Sequence, residues 1–587
     1  MQKSLKAAKK SVFRQFINNS IIVSILTYFS ARLHSLFSKR ALSKVFTFVD
    51  YADKSKDEGL IHLIAEKTKA TTVFSAIRRG FAKSVENSFI VKLYRQLIKA
   101  FMATSVKTFG VFFMSAGLYS LLAYSIRLFV FMDVKRTQTE VVAIALMVLI
   151  SFFLIFSKKS LGKKLIDSGI FYFFLDLLGI NRLAIDTDRQ PQNHFAAAFF
   201  AGLAFGIGVF FLSPLEVIYR IAVVLTALII LYSPESGLLI SMAAVPFGNE
   251  DKLLFVLFIT LVSYILKLFR GKRNLTLKSE DYPALFFALV FMYAFNGFSA
   301  IRLFIIVSSY FMASNLMRNA NLLKKSIYSF ALGLMIKSVV LTTLFMFNFV
   351  NINFTAVTGI LVGEFNLYSE FMIIASLPFA FYMFGERESG FHFIIRLIFV
   401  LSVLFNAAVS MSDMVWFSAV ICLFIYLVYR TARFFNVAFV FALVCPILYY
   451  VRQFVLVFNT VTPFEVKKAI DGEYDMVRLL FGGGNFGGSS VYGVLAQSIG
   501  ILGLALLGVF LVFLLSRSFT SALYSRKGRL RPICAILITG LSVFLVTGMS
   551  ANTFETSNGL LMFWILCGLV SATGNAIPAH VSYDDYT

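Results

Sequence analysis

Charged residues are scarce in this chain: Asp, Glu, Lys and Arg make up 14% of the 587 residues, whereas 59% are hydrophobic. This balance excludes an ordinary soluble domain, in which about a quarter of the residues are charged. Many apolar runs approach the roughly 20 residues that a helix needs to cross the hydrocarbon of a bilayer. The sequence therefore predicts an all-α fold, a polytopic transmembrane bundle of about 14–16 spans.

Cysteine and histidine are also rare, with four and five copies. The cysteines all lie within apolar runs, at Cys422, Cys445, Cys534 and Cys567. Their spacing fits neither a disulfide framework nor a zinc site, so they are interpreted as small packing residues. The Lys-rich N-terminus lacks a compact apolar core followed by small residues, so no cleavable signal peptide is expected.

Acidic residues are few in residues 1–106, where 19 Lys and Arg stand against 6 Asp and Glu. Apolar residues recur there at helical spacing with basic residues between them, which is typical of amphipathic helices on an anionic membrane surface. Nucleic-acid binding is the competing interpretation, and the wide apolar faces and the following spans argue against it. We divide the chain into a basic cytoplasmic or interfacial region (1–106), two spans plus an interfacial helix (107–194), a transmembrane domain (195–574) and a cytoplasmic tail (575–587).

Sixteen apolar runs are predicted to be membrane spans or parts of spans. The run at 236–247 is too short to cross comfortably and is interpreted as a re-entrant or broken helix. Residues 161–180 are predicted to form a single interfacial helix. The predicted spans are 107–131, 141–157, 195–213, 215–232, 236–247, 252–269, 283–296, 299–316, 326–349, 368–385, 393–411, 414–430, 435–457, 489–516, 533–549 and 557–574.

The distribution of Lys and Arg among short loops predicts the orientation of the spans. Five basic loops fall on the same side as the N-terminus, at 158–164, 270–278, 317–325, 429–433 and 517–531. One short loop, 132–140, disagrees because it falls on the opposite side and carries Lys135 and Arg136. Both termini are therefore predicted to be cytoplasmic, and the segment 458–488 to face outward.

The segment 458–488 is the one long, polar, Gly-rich interruption of the apolar C-terminal half. A connection of this length in a compact bundle is usually functional or disordered. The outer face has no nucleotide donors, so an activated donor there must already be in the membrane, for instance as a lipid pyrophosphate. Cationic side chains would hold its phosphates and stabilise the leaving group. The outward candidates are Lys467, Lys468, Arg478 and Arg302.

Arg478 is the most specific of these candidates, because it precedes the sequence LLFGGG. Its guanidinium could bind phosphates beside free backbone N–H groups of the glycine turn. The alternative is an ion pair with Asp475 or Glu473 on a solvated loop. Two further cations, Arg220 and Lys337, fall within predicted spans, where a charge must face a cavity or a partner. For these two, substrate contact and internal pairing or snorkelling both stay open.

Three motifs occur in one order in the C-terminal half: GEFNLYSEFMIIASLPFAFY (363–382), SMSDMVWFSAVICLFIYLVYR (410–430), and the run FGGGNFGG, SSVY, GVLAQS and GILGL between 481 and 504. Together they resemble the C-terminal domain of the bacterial O-antigen ligase and polysaccharide polymerase superfamily. In that family a long outward loop ends in a Gly-rich turn, and a span follows. The resemblance covers about residues 195–574.

The resemblance implies a glycan ligase or polymerase in the bacterial cytoplasmic membrane. It would transfer a glycan from an undecaprenyl-pyrophosphate carrier to a glycan or surface acceptor, without metal or nucleotide. The lipid-linked glycan is then the expected partner, together with other surface-polysaccharide assembly proteins, and nucleic acid is not expected. Arg478 and Arg302 are the expected catalytic residues. The expected substrate-binding residues are Lys467, Lys468, Asn485, Ser489, Ser490, Tyr492, Gln497, Glu370 and Asp413.

The chain also departs from the family pattern. Ser489 and Ser490 stand where the family has a His-Asn pair, and Asp413 stands where it has an Arg. All five histidines fall on the predicted inner side, which leaves Glu370, Asp413 or Glu465 as alternative bases. For Tyr492 and Gln497, helix packing competes with binding of sugar hydroxyls. Two other functions stay open: a transporter or flippase for a lipid-linked or anionic solute, and an inactive scaffold for polysaccharide assembly.

Overall fold

A computed structural model of the chain describes about three fifths of the sequence. The described residues are 80, 88–130, 138–178, 191–212, 214–248, 250–270, 272–273, 275, 280–294, 299–349, 367–385, 391–410, 415–416, 418–420, 422, 480–482, 491–524, 530–548 and 553–574. Within these ranges the fold is all-helical, without strands. Most of the predicted basic arm, the predicted span 435–457 and nearly all of the predicted outward loop lie outside them.

Four of the described helices are long and apolar enough to cross a membrane: Val106–Arg127, Glu250–Phe269, Ala320–Thr343 and Val491–Leu515. Several shorter helices are also apolar. Large apolar side chains stand exposed on the surfaces of the described helices, for example Phe129 at 78% and Phe153 at 75% of full exposure. Exposed aromatic surface of this kind is unfavourable in water and favourable against lipid.

The chain divides into two units. The first unit comprises Thr72–Gly237 and Val262–Arg273, and the second comprises the described residues of Leu238–Leu261 and of Asn274–Thr587. The first unit contains helices α1 (Phe89–Ala103), α2 (Val106–Val130), α3 (Gln138–Ile155), α4 (Leu161–Asp167), α5 (Gly169–Leu177), α6 (Phe195–Phe211) and α7 (Pro214–Tyr232). Helices α8 (Pro234–Ala244) and α9 (Glu250–Phe269) have residues in both units.

The remaining described helices belong to the second unit. They are α10 (Asp281–Ala294), α11 (Ala300–Leu316), α12 (Ala320–Phe349), α13 (Leu367–Gly385), α14 (Phe391–Ser410), α15 (Val491–Tyr524), α16 (Leu530–Thr547) and α17 (Ser557–Thr573). Short 3₁₀ turns follow α8 at Val245–Phe247 and precede α17 at Thr553–Glu555.

Glycines set the helix packing of the first unit. A Cβ atom built on Gly202 would lie 1.9 Å from Ser115 Oγ, and one on Gly206 would lie 2.3 Å from Tyr119 Cβ. These two glycines of α6 are four residues apart and therefore share one helix face. Their spacing is the Gly-x-x-x-Gly pattern that lets helix backbones approach closely in membranes. It brings α6 directly against α2.

One end of the first unit is closed by backbone hydrogen bonds between three chain segments. The Val106 N–H donates to Lys159 O at 2.9 Å, and the Leu161 N–H donates to Thr104 O at 2.9 Å. The Ser105 N–H donates to Gln192 O, also at 2.9 Å. Residues 104–106, 159–161 and 192 are thus joined side by side. These segments are all predicted to lie on the inner side, so their meeting at one end agrees with the predicted span order within this unit.

Helix α17 forms the centre of the second unit, because every one of its residues is buried. A helix that is apolar and covered on all sides belongs in the core of a bundle. Trp564 is fully buried, and its ring stacks on Phe510 with centroids 6.2 Å apart. Backbone approach to α11 is close, since a Cβ on Gly568 would lie 2.6 Å from Tyr310 O.

Several predicted runs match observed helices closely, such as 107–131 with Val106–Val130 and 299–316 with Ala300–Leu316. The run at 236–247 is an 11-residue helix followed by a 3₁₀ turn, which confirms a short, irregular element. The prediction of one interfacial helix over 161–180 is wrong. Ser168 takes an extended conformation (ψ 115°) and separates α4 from α5, and its N–H bonds to Lys164 O at 3.1 Å.

Candidate functional site

Four helices of the second unit begin at one end of it: α9, α11, α15 and α17. We call this the entry end and define it by Glu250, Arg302, Val491 and Ser557. Both carboxylate oxygens of Glu250 accept hydrogen bonds from Ser557, one from its N–H at 3.1 Å and one from its hydroxyl at 3.0 Å. Glu250 therefore satisfies the free N-terminal N–H of α17 and complements the positive end of its dipole.

Arg302, one of the two predicted catalytic residues, lies in the first turn of α11 at the entry end. Its Nη2 is 3.2 Å from Asp251 Oδ1, and both side chains are exposed. The Ser299 hydroxyl accepts the backbone N–H of Arg302 at 3.4 Å and starts the helix. An exposed ion pair contributes only about 0–1 kcal/mol. Arg302 can therefore exchange Asp251 for a phosphate at little cost.

Tyr492, a predicted substrate-binding residue, joins the start of α15 to the end of α16. Its hydroxyl donates to Leu545 O at 3.0 Å, and the neighbouring Val491 N–H donates to Gly548 O at 2.8 Å. The hydroxyl proton of Tyr492 is thus used within the protein, which favours the packing interpretation. Its oxygen lone pairs still allow it to accept a hydrogen bond.

Helix α15 is interrupted at Gly500, whose φ of 68° and ψ of −175° are not helical. The segment 480–482 packs backbone to backbone against this break. A Cβ on Gly500 would lie 2.3 Å from Leu480 O, and a Cβ on Gly482, itself at φ 84°, would lie 2.2 Å from Ser498 O. No side chain fits in either position, and both conformations favour glycine. The start of the predicted Gly-rich motif (481–488) therefore packs against a broken helix.

A break in a helix frees peptide groups that the helix would otherwise pair. In an apolar surrounding such groups need other partners, and interrupted backbone is tolerated where it is covered by protein or lines a cavity. Gln497 lies one turn before Gly500 and is half-buried, and Ser498 beside it is buried. The break thus places backbone and side-chain amide groups together inside an apolar bundle, and the segment 480–482 covers part of that backbone.

Two buried polar atoms near the start of α17 have no hydrogen-bond partner: Thr553 Oγ1 and Asn558 Oδ1. They flank the tight contact at Gly559, where a Cβ would lie 2.0 Å from Thr553 O. A buried polar atom without a partner costs about 1–3 kcal/mol. These two atoms therefore mark a polar spot at the entry end that a water molecule or a ligand hydroxyl would satisfy.

Most of the other predicted site residues lie outside the described residues: Arg478, Lys467, Lys468, Asn485, Ser489, Ser490 and Asp413. Glu370 lies in α13, but its side chain is not among those described. Of the predicted set, the described part of the entry end contains Arg302, Tyr492 and Gln497. Glu250 and Asp251 belong there as well, although the sequence did not predict them as site residues. Two acids at the start of an apolar helix look like ordinary N-terminal capping charge.

A second polar cluster, also missed, lies where α10 begins. Glu280 and Asp281 are adjacent and fully or almost fully buried. The Tyr310 hydroxyl donates to Asp281 Oδ1 at 2.7 Å, and the Ser571 hydroxyl donates to Glu280 Oε1 at 3.0 Å. The hydroxyl oxygens of Ser314 and Ser571 are 3.1 Å apart. The cluster ties α10, α11 and α17 together away from water.

In the described part of the first unit, the buried acid Glu235 has a cationic partner. Glu235 Oε1 accepts from Arg273 Nε at 2.6 Å, and Glu235 Oε2 accepts from the Ser233 hydroxyl at 2.9 Å. Burial alone would raise the pKa of Glu235, but the charges of Arg273 and Lys267 and the Arg273 hydrogen bond hold that pKa below its ordinary value. The described part of this unit therefore keeps Glu235 ionised at neutral pH.

Within the described ranges, no group of three or more His, Cys, Asp or Glu side chains is arranged to hold a metal ion. Three cysteines, Cys422, Cys534 and Cys567, are buried and free, which agrees with their interpretation as packing residues. In comparisons with known proteins, no family model, no curated protein and no solved structure matches this chain.

Proposed function

We propose that the chain is a multi-span enzyme of the bacterial cytoplasmic membrane that transfers a glycan from a polyprenyl-pyrophosphate carrier. The acceptor is a hydroxyl of a growing glycan or another surface molecule on the outer face. In this proposal about 14–16 spans cross the membrane, the basic N-terminal arm lies on the inner surface, and both termini are cytoplasmic. The entry end then faces outward, beneath the segment 458–488.

The observation that carries the proposal is the break at Gly500, held by Leu480 and Gly482. Arg478 lies two residues before Leu480 in the sequence, so the predicted phosphate ligand is close along the chain to the residues that pack against the break. Arg302 stands at the same end of the unit in an exposed ion pair that can open. Arg478, Arg302, Lys467 and Lys468 would neutralise the pyrophosphate as it leaves.

The reaction follows from these roles. An acceptor hydroxyl oxygen attacks the anomeric carbon of the carrier-bound glycan, and the bond from that carbon to the pyrophosphate oxygen breaks. The proton of the hydroxyl passes to a carboxylate, for which Asp251 is the exposed candidate among the described residues of the entry end. Glu370, Asp413 and Glu465 remain the predicted alternatives. Gln497 and the polar atoms of Thr553 and Asn558 would hold sugar hydroxyls.

The test uses cells in which the chain is replaced by single-residue variants. Gly500→Ala places a Cβ atom 2.3 Å from Leu480 O and should separate the segment 480–482 from the break, with loss of surface polymer. Gly508→Ala lies in the same helix with open space around it and should leave polymer unchanged. Equal amounts of surface polymer from both variants, at equal protein level, would show that the mechanism does not depend on the break at Gly500.

Arg478→Ala is the companion variant for the predicted phosphate contact. It should abolish polymer without lowering protein level, with the lipid-linked unit accumulating on the outer side of the membrane. Since a guanidinium gives bidentate contacts that an ammonium cannot, Arg478→Lys should restore only part of the activity. Unchanged polymer in Arg478→Ala cells would exclude this residue from the site.

A transporter or flippase is the second candidate, and two interrupted helices favour it. Helix α8 ends after 11 residues in a 3₁₀ turn and Gly248 at φ 76°, and α15 is broken at Gly500. Discontinuous helices of this kind form the substrate sites of many transporters. Deletion of the chain separates the two functions, because loss of a flippase accumulates the lipid-linked unit on the cytoplasmic side and loss of a transferase accumulates it outside.

A further inference from the structure

The closed end of the first unit carries an unusual concentration of exposed lysines. Helix α1 contributes Lys92 and Lys99, and the turn into α4 and α4 itself contribute Lys158, Lys159, Lys163 and Lys164. All six side chains are exposed. We call this set the basic platform. Among the described residues 88–110, 157–168 and 191–196, Asp167 is the one acid, so positive charge dominates this surface.

The platform is held in place by the backbone junction described above. The bonds from Val106 to Lys159 and from Leu161 to Thr104 fix the turn that carries Lys158 and Lys159 beside the end of α1. Ser160 caps α4, since its hydroxyl accepts the Lys163 N–H at 3.4 Å. Helix α1 also packs against α4. The lysines are therefore presented by a fixed frame and not by separate loops.

The position of the platform relative to lipid follows from α2. This helix begins at Val106, directly at the junction, and is one of the four long enough to cross a membrane. Phe156 and Phe153, just before Lys158 along the chain, are exposed to 80% and 75%. Leu93 and Phe101 on α1 are also exposed, at 41% and 42%. Apolar side chains next to lysines are the composition of a surface that rests at the headgroup level of a bilayer.

One ion pair within the platform shows how its charge is distributed. Lys159 Nζ lies 2.5 Å from Asp167 Oδ2. This hydrogen bond lowers the pKa of Asp167, with smaller contributions from the charges of Lys163 and Lys164. Asp167 thus neutralises Lys159 in part and leaves the other lysines to meet anions from outside the protein.

We propose that the basic platform binds the phosphate headgroups of anionic phospholipids in the leaflet where α2 begins. Each lysine near such a surface strengthens binding by roughly fivefold, so several of them together select anionic over zwitterionic lipid. The platform lies on described residues of the first unit and needs no glycan transfer, so this inference stands or falls independently of the proposed enzymatic function.

The experiment is a lysine footprint of the full chain in lipid nanodiscs. Discs of phosphatidylcholine alone are compared with discs containing a third of phosphatidylglycerol, and acetylation rates are read for each lysine by mass spectrometry. In the anionic discs the platform lysines should be acetylated at about one fifth of their rate in the neutral discs, or more slowly still. High salt should restore these rates, since the Debye length falls to about 3 Å at 1 M. Lys252, exposed beside Glu250 and Asp251, is the control and should react equally in both.

Two results would overturn the inference. One is equal acetylation of the platform lysines in both kinds of disc. The other is slowing by inorganic phosphate alone in neutral discs, which would indicate a site for a soluble anion. A variant with Lys158, Lys163 and Lys164 changed to Gln should lose about tenfold or more in phosphatidylglycerol binding by native mass spectrometry. Lys252→Gln should lose none, and if the triple variant does not fold, the footprint of the unchanged protein decides.

Discussion

Glu235 makes the stability of the first unit depend on pH. Its side chain is 6% exposed and its partner Arg273 is 23% exposed, so the pair is largely shielded from water. Because surrounding cations hold the pKa of Glu235 below its ordinary value, ionised Glu235 stabilises the folded state. That contribution is fully present above the unfolded pKa of about 4.3 and is lost as the pH falls through the lower folded pKa.

Glu235→Gln should therefore lower the free energy of unfolding at neutral pH, by on the order of 3 kcal/mol, because it removes the carboxylate charge that Arg273 contacts. The difference from the unchanged protein should shrink below about pH 4. Thermal unfolding in detergent across pH measures both effects. Glu216→Gln is the control, since Glu216 pairs with Arg220 on an exposed helix face, where such pairs contribute about 0.3–0.5 kcal/mol. A difference that does not change with pH would mean that the carboxylate charge is not its source.

The two cations predicted to lie within spans, Arg220 and Lys337, differ in their exposure: Arg220 is exposed and Lys337 is buried. Arg220 Nη2 pairs with Glu216 Oε1 at 2.7 Å, four residues away on α7, as internal pairing predicted. Lys337 is buried in α12, with 4% exposure, beside Ser338, whose carbonyl accepts from Asn406 Nδ2 at 3.0 Å. A partner four residues away can be read from a sequence. Asn406 is 68 residues from Ser338, and only the folded chain brings them together.

At the scale of helices, the contact of α6 with α2 depends on Gly206. A Cβ atom there would lie 2.3 Å from Tyr119 Cβ, so Gly206→Ala forces the helices apart. Overpacking of this kind costs about 1–3 kcal/mol. Gly208→Ala, two residues along the same helix, meets Val217 Cγ2 at an ordinary 3.7 Å. It should be neutral or slightly stabilising, since Gly in a helix is less favourable than Ala.

Thermal unfolding of the two variants in the same detergent measures the difference between them. A lower midpoint for Gly206→Ala with an unchanged midpoint for Gly208→Ala is the expected result. If the two midpoints shifted alike, the close approach of α6 to α2 would not be what stabilises the first unit.

Helix positions were largely predictable from the sequence, because an apolar run of sufficient length has few other solutions in a bilayer. Interruptions within helices were harder to predict from the sequence. The extended residue Ser168 and the break at Gly500 follow from no strong local signal, since Ser and Gly occur within many helices of membrane proteins. The break at Gly500 is fixed by Leu480 and Gly482, and residues 483–490 separate these two residues from α15 along the chain. Turn residues indicated a Gly-rich loop end but not what it packs against.

Across the whole molecule, the sequence predicted an all-helical fold and long apolar helices, and both are confirmed within the described residues. It did not predict the two acids of the entry end or the buried Glu280 and Asp281. The partner of Glu250 is 307 residues away and that of Glu280 is 291 residues away, so no local pattern reports them. The sidedness of the membrane remains a prediction from the loop charges alone.

Sidedness is tested by single cysteines placed at the two ends of the second unit. Asp251 lies at the entry end with an 85% exposed side chain, and Asn321 is exposed in the first turn of α12, within the predicted inner loop 317–325. Cys422, Cys534 and Cys567 are buried, so the native background should be low and is measured in the parent protein. A membrane-impermeant maleimide added to spheroplasts should label Asp251→Cys at once and Asn321→Cys only after permeabilisation.

The opposite labelling pattern would place the entry end in the cytoplasm, where nucleotide donors are available. A polyprenyl-pyrophosphate donor on the outer face would then meet neither Arg302 nor the break at Gly500, and the proposed transferase would be excluded. Because the break at Gly500, Arg302 and Asp251 belong to the same end of one unit, a single pair of labels decides the side for all of them. The predicted orientation requires Asp251→Cys to react from outside.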